Sequence, residues 1–410
     1  MENFMSNLNK YAELVVKVAI NLQKDQTLVI NSPITSVEFV RAITKKAYEV
    51  GARYVHVEWN DEEITKLKLL KAPEEALKEF PIWKAKGFEE MAEAGAAFLS
   101  ISASNPDLLR EVDPQRVAIN NKTAAEALQN FRRYTQTGKV SWAIVSVPTK
   151  EWADKVFANL DESERVNALW ENIFKVTRVN LDDPVASWKE HINNLRGKLE
   201  YLNNKKFKKL YFKNHSTDLV VELPNDHLWI GGGLKNEKGN EFIPNMPTEE
   251  VFTMPLKTGV NGYITSTKPL NYGGQVIENF TMTFKEGRIV DFTAEKGYET
   301  LKKLIETDEG SHYLGEVALV PHKSPVSDSN IVFFNTLFDE NASSHLALGS
   351  AYPLCIEDGG RLSKVELEER GANTSLVHVD FMIGSNDMNV DGETLDGKLY
   401  PIFRGGNWSI

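Results

Sequence analysis

The sequence predicts an α/β chain, with an N-terminal domain on a mainly parallel sheet and a C-terminal domain of mixed α+β architecture. Three observations predict it. Helical stripes alternate with short buried-strand runs through the first half. Beyond about residue 200 the texture shifts to stretches rich in β-branched and aromatic residues. The length, 410 residues, exceeds what one hydrophobic core usually holds.

Residues 12–22 carry apolar side chains at Leu14, Val15, Val18, Ala19 and Leu22, a helical stripe. Residues 27–30 form a short apolar run that ends before Pro33. Thr35 or Ser36 can cap a helix striped by Phe39, Val40, Ile43 and Ala47, and Gly51 supplies its stop. A strand is expected at 54–59, helices broken at Pro73 across 64–80, and further strands at 96–101 and 139–147. Helical stripes follow at 166–176 and 188–202. Strands are then expected within 210–223, 259–265 and 275–293, the last turning at Glu286-Gly287 as a hairpin. Gly231-Gly232-Gly233 reads as a bend in a strand. The boundary is placed near residue 195, giving domains 1–195 and 196–410.

Composition narrows function. The net charge is -11, from 47 basic and 58 acidic side chains, a field that repels a phosphate backbone and speaks against nucleic acid as a partner. The densest basic run, residues 205–209, reads as a solvated face leading into a strand. No Gly-x-Gly-x-x-Gly follows a strand, and no phosphate-loop signature is present. Cys355 is the single cysteine, so no internal disulfide can form, which suits a reducing compartment. The first residues lack a basic start followed by a continuous apolar stretch, and no run reaches membrane-spanning length. The expectation is a cytoplasmic protein without a membrane partner.

Four places carry candidate chemistry. In residues 375–383, His378 and Asp380 sit two apart in an apolar run and would share one face of a strand. One imidazole and one carboxylate suit zinc or its neighbours, although a His-Asp hydrogen bond at a sheet edge explains the pair as well. In residues 339–349, Asn341 can cap a short helix that carries Glu340 at its start and His345 one turn inside. Tyr352 would lie on nearly the same helical face before Pro353 ends the helix. Glu316 leads an otherwise apolar run, where an unpaired charge is costly. Glu249-Glu250 are adjacent acids, and physical reasoning alone does not choose between them. Each place has a bland structural explanation. Jointly they supply the carboxylates and imidazoles that a two-metal hydrolytic site requires.

These segments also carry a resemblance. Asn-Met-Pro-Thr-Glu-Glu-Val-Phe-Thr (245–253), Glu-Val-Ala-Leu-Val-Pro (316–321), residues 336–349 and His-Val-Asp-Phe-Met-Ile-Gly (378–384) resemble the thermophilic-type aminopeptidase family, M29, in order and spacing over essentially the whole chain. The resemblance implies a metal-dependent aminopeptidase that takes peptides with a free N-terminus and acts as a homodimer. It implies two divalent ions (zinc, cobalt or magnesium) with Glu250, Glu316, Glu340, His345, His378 and Asp380 as ligands. Glu316, Glu340 and Tyr352 are its candidates for catalysis, and the resemblance leaves open which glutamate moves the proton. Two other readings are a different metallohydrolase of amide bonds and a non-enzymatic α/β ligand-binding protein.

Overall fold

Four short apolar runs of the first half pair side by side, all in parallel, in a computed structural model that describes residues 2–103, 105–272 and 275–410. They are β1 (Thr27–Pro33), β2 (Tyr54–Asn60), β3 (Ala97–Ser102) and β4 (Trp142–Ser146), in sheet order β2-β1-β3-β4. Continuous Val/Ile/Leu/Ala runs such as Ala97-Phe-Leu99 are what a parallel strand covered on both faces needs. The intervening helix Val37–Glu49 buries Phe39, Val40, Ile43 and Ala47, the stripe read from the sequence. Ser36 makes no side-chain capping bond, because Ile34–Ser36 already winds as a 3-10 turn. The N-terminal stripe stays largely buried, but its winding differs: Glu2–Leu14 is α-helical, and Val15–Ala19 loosens to a π-turn.

The chain divides into two compact units, residues 1–190 with 233–247, and residues 191–232 with 248–410. The segment 233–247 belongs to the first unit through backbone pairing. Ile144 N–H donates to Pro244 O at 2.7 Å, and Ile243 N–H donates to Ala19 O at 2.8 Å. Among the described residues no helix is long and apolar enough to cross a membrane.

The second unit is mainly antiparallel, as its β-branched texture foretold. A nine-stranded sheet runs through the hairpins Lys209–Asn214/Thr217–Glu222 and Gln275–Lys285/Arg288–Lys296. The five-stranded sheet is the one that matters for function. Its members are β5 (Ile230–Gly231), β6 (Val251–Thr253), β7 (Leu314–Leu319), β8 (His345–Gly349) and β9 (His378–Met382), in order β9-β8-β7-β6-β5. One face is apolar: Val251, Val317, Leu319, Leu346, Leu348 and Phe381 all enter the main core of the unit. Strand alternation therefore turns their neighbours to the other face.

Candidate metal centre

Register decides which side chains meet. Across β7, β8 and β9, Glu316 pairs with Ala347, which pairs with Asp380, while Gly349 pairs with His378 and Ala318 with His345. Glu316, His345, His378 and Asp380 thus stand on the face away from the core, over the small residues Ala347 and Gly349. Glu250, immediately before β6, faces the same way as Phe252.

A bulge makes Glu316 available. Leu314 pairs with Leu348 and Glu316 with Ala347, so Gly315 is an extra residue in β7. Leu314 and Glu316 are two apart in sequence, yet Leu314 enters the core and Glu316 the opposite face. A Cβ on Gly315 would lie 2.4 Å from both Gly349 O and Ser350 O, so the bulge needs glycine.

The side chains converge closely. His345 Nε2 is 3.1 Å from Glu250 Oε2 and 3.4 Å from Glu316 Oε1. His378 Nε2 is 3.5 Å from Glu316 Oε2 and 3.5 Å from Asp380 Oδ1. The two oxygens of Glu316 therefore address different imidazoles. Two triplets result, Glu250/Glu316/His345 and Glu316/His378/Asp380, each with donor atoms within 4.8 Å of one another. Both histidines point Nδ1 at a main-chain carbonyl, Ser343 O at 3.1 Å and Ser350 O at 2.7 Å. A carbonyl can only accept, so Nδ1 carries hydrogen in both rings. This is the outer-shell contact that orients metal-binding imidazoles and leaves Nε2 to ligate once deprotonated.

The electrostatics ask for a cation. Burial, with the charges of Asp380 and Glu250, pushes the Glu316 carboxyl up to about 7, although His345 opposes the shift. Glu340, buried and facing the charges of Glu250 and Asp380, rises well above the usual carboxylate range. Burial alone would lower His345, but its contacts with Glu250 and Glu316 hold it well above the ordinary imidazole value. His378 rises to about 9, where Asp380 outweighs burial. Buried acids are thus compensated only by borrowed protons. Asp380 Oδ1 is itself buried and lacks a hydrogen-bond partner among the described residues. Oxygen donors, tautomer-fixed imidazoles and a buried carboxylate oxygen met only by the 3.5 Å approach of His378 Nε2 fit a divalent metal.

Several sequence readings change. Residues 345–349 are a strand and not a helix, so His345 and Tyr352 do not share a helical face. Asn341 caps no helix: Asn335 caps Thr336–Asp339, and Glu340–Ala342 is a 3-10 turn. Asn341 accepts from Glu249 N–H at 2.7 Å and donates to Leu337 O, which fastens the segment before Glu250. Glu249 approaches His191 at 3.5 Å, and it is Glu250 that meets His345. Glu340 lies close enough to feel the cluster but belongs to neither triplet. Tyr352 stands edge-on to His378, ring centroids 4.8 Å apart, and 5.8 Å from Phe252. Gly315 and the carbonyls of Ser343 and Ser350 escaped the sequence reading. No local signal favoured Glu250 over Glu249; the pairing of Val251 with Leu319 turns Glu250 to the site.

A buried, cation-seeking set of carboxylates and imidazoles on a rigid sheet is the equipment of a metal-dependent hydrolase. Comparison with known proteins agrees. Residues 4–408 match the family described as thermophilic metalloprotease, M29. Aminopeptidase 2 of Geobacillus stearothermophilus is 56% identical over 100% of this chain and 99% of its own length. Aminopeptidase AmpS of Bacillus subtilis (strain 168) is also 56% identical, over 100% of both chains. The solved structure of wild-type AmpT from Thermus thermophilus is 42% identical, with a TM-score of 0.94, covering 99% of this chain and 100% of that one. The chain belongs to the thermophilic metalloprotease family. It is an enzyme, a metal-dependent peptidase of the exopeptidase kind.

Proposed function

We propose that this chain is an aminopeptidase that releases N-terminal residues from peptides, using two divalent ions that share Glu316. The observation that carries the reading is the placement of Glu316, whose two oxygens face His345 and His378 and so belong to both triplets. Glu250 and His345 complete one set of ligands, and His378 and Asp380 the other. Zinc, cobalt and magnesium are the candidate metals. The catalytic apparatus is assigned to residues 196–410, with 1–195 as its α/β companion domain. The working form is proposed to be a cytoplasmic homodimer.

When bound, such ions acidify water toward a pKa of about 7 and polarise a carbonyl. The side chains do the rest. Glu340, outside both triplets, would ionise once cations balanced the charges of Glu250 and Asp380, and would then take a proton from the attacking water and return it to the leaving amine. The Tyr352 hydroxyl donates a hydrogen bond to the oxyanion that develops on the scissile carbonyl. The acidic cluster attracts the free α-ammonium of the substrate, which favours cleavage at the N-terminus over cleavage within a chain.

The experiment is hydrolysis of an aminoacyl anilide after chelation, with zinc, cobalt or magnesium restored in turn. Activity should vanish on chelation and return with metal, and the N-acetylated anilide should resist. Equal cleavage of the acetylated compound would overturn the aminopeptidase reading.

A further inference from the structure

The strand that carries His378 and Asp380 lies at the edge of its sheet, since among the described residues β9 pairs only with β8. Two main-chain hydrogen bonds fix which of its groups point where. Ser350 N–H donates to Val377 O at 2.8 Å, and Ile383 N–H donates to Ser344 O at 2.9 Å. In an antiparallel ladder the bonded pairs recur every second residue, so Val379 and Phe381 also turn their main chain toward β8. His378, Asp380 and Met382 turn theirs outward. Thr267 N–H confirms the direction by donating to Met382 O at 2.8 Å, closing that end of the edge. Among the described residues, no other residue's backbone meets the outward groups of His378 or Asp380.

An exposed edge with unpaired carbonyls is a template for another strand, which proteins usually cover or blunt. Here it is left open at the two residues whose side chains enter the candidate metal centre. We propose that the outward carbonyls of His378 and Asp380, with the N–H of His378, bind the main chain of the peptide substrate as an added antiparallel strand; the Asp380 N–H turns to its own carboxylate. The proposal rests on the peptidase reading above and specifies its substrate class: extended peptides of three or more residues, bound through their backbone. The two outward carbonyls are about 6.7 Å apart along the strand, the spacing of alternate N–H groups in an extended chain. Main-chain pairing holds a substrate without regard to its side chains. It leaves selectivity to whatever surrounds the first residue, where Tyr352 stands beside His378 and Phe252 against Tyr352.

The test uses the metal-loaded enzyme, an aminoacyl anilide, a dipeptide, a tetrapeptide with the same first residue, and that tetrapeptide N-methylated at each amide in turn. The tetrapeptide should exceed the anilide and dipeptide in kcat/KM by about 10-fold or more, chiefly through KM. Methylating an amide that donates to the edge should cost about 2- to 10-fold per lost bond, and methylating the next amide much less. This alternation with a period of two is the signature of a strand. Cleavage of anilide and tetrapeptide with equal efficiency, or N-methyl losses that do not alternate, would overturn edge binding and leave the peptidase reading intact. Failure to cleave any free-amine compound would overturn both readings.

Discussion

Replacing Glu316 with glutamine tests the centre at its shared point. Glu316 is 5% exposed, and its two oxygens lie 3.4 Å and 3.5 Å from the two imidazoles. Glutamine keeps the shape but removes the charge and turns one acceptor into a donor aimed at a ligand set. Outer-shell changes at metal sites already cost about 10–100-fold in affinity. A shared ligand should lose at least that at each ion, roughly 3–5 kcal/mol in total. For a unit of roughly two hundred residues, this removes about 6–20 °C of metal-dependent stabilisation. The metal-free proteins should behave in the opposite sense. The Glu316 carboxyl is raised to about 7, first by burial, so its contribution to stability is present below the unfolded value of about 4.3 and is lost as pH rises through about 7. At pH 8 the chelated wild type has lost it, whereas glutamine does not titrate. Calorimetry should therefore find chelated Glu316→Gln melting no lower than chelated wild type, with its metal-induced upshift much reduced. Metal analysis after dialysis should find fewer ions per chain. An undiminished upshift together with unchanged metal content would refute the shared-ligand argument.

Three further outcomes follow from the geometry. Gly315→Ala should displace Ser350 O, release His378 and reduce bound metal by about half, whereas Gly287→Ala, still more crowded but in the hairpin turn after Glu286, should lower the melting temperature and leave metal content alone. Tyr352→Phe should lower kcat about 10²- to 10³-fold with metal content unchanged, by analogy with the loss of one oxyanion donor, and unaltered turnover would remove the hydroxyl from the chemistry. Asp308 is held below the usual carboxylate range: burial pushes it up, but hydrogen bonds from Leu376 N–H, Ser375 Oγ and Ser311 N–H outweigh that. Its stabilisation is present above the unfolded value of about 3.9 and is lost as pH falls below it, so Asp308→Asn should melt lower than wild type at pH 7 and converge with it in acid.

The parts legible in the sequence were those whose signal is local. Alternation put His378 and Asp380 on one face, and apolar runs marked β1 to β4. Residues 341–345 misled because Asn-Ala-Ser-Ser imitates a helix start, while the stronger signal lay in His345-Leu-Ala-Leu-Gly349. There Leu346 and Leu348 alternate into the core, and His345, Ala347 and Gly349 face away from it. The choice between Glu249 and Glu250 depended on the pairing of Val251 with Leu319, a contact made across 68 positions that no local window contains.

The bulge at Gly315 shows why such a site resists local reading. Period-two alternation assigns Leu314 and Glu316 to one face, and an uninterrupted ladder would bury both in the core or expose both. A single extra residue lets an apolar side chain close the core while the next carboxylate leaves it. The bulge brings Gly315 against the carbonyl of Ser350, the same carbonyl that orients His378. The shared carboxylate and one of its imidazoles are thus aimed by one backbone irregularity. Movement there should disturb the Glu316/His378/Asp380 triplet before it disturbs Glu250 and His345, whose ring is held separately by Ser343 O. Gly315→Ala distinguishes this from general loosening, because loosening would lower both affinities together, whereas displacement of Ser350 O empties one triplet first.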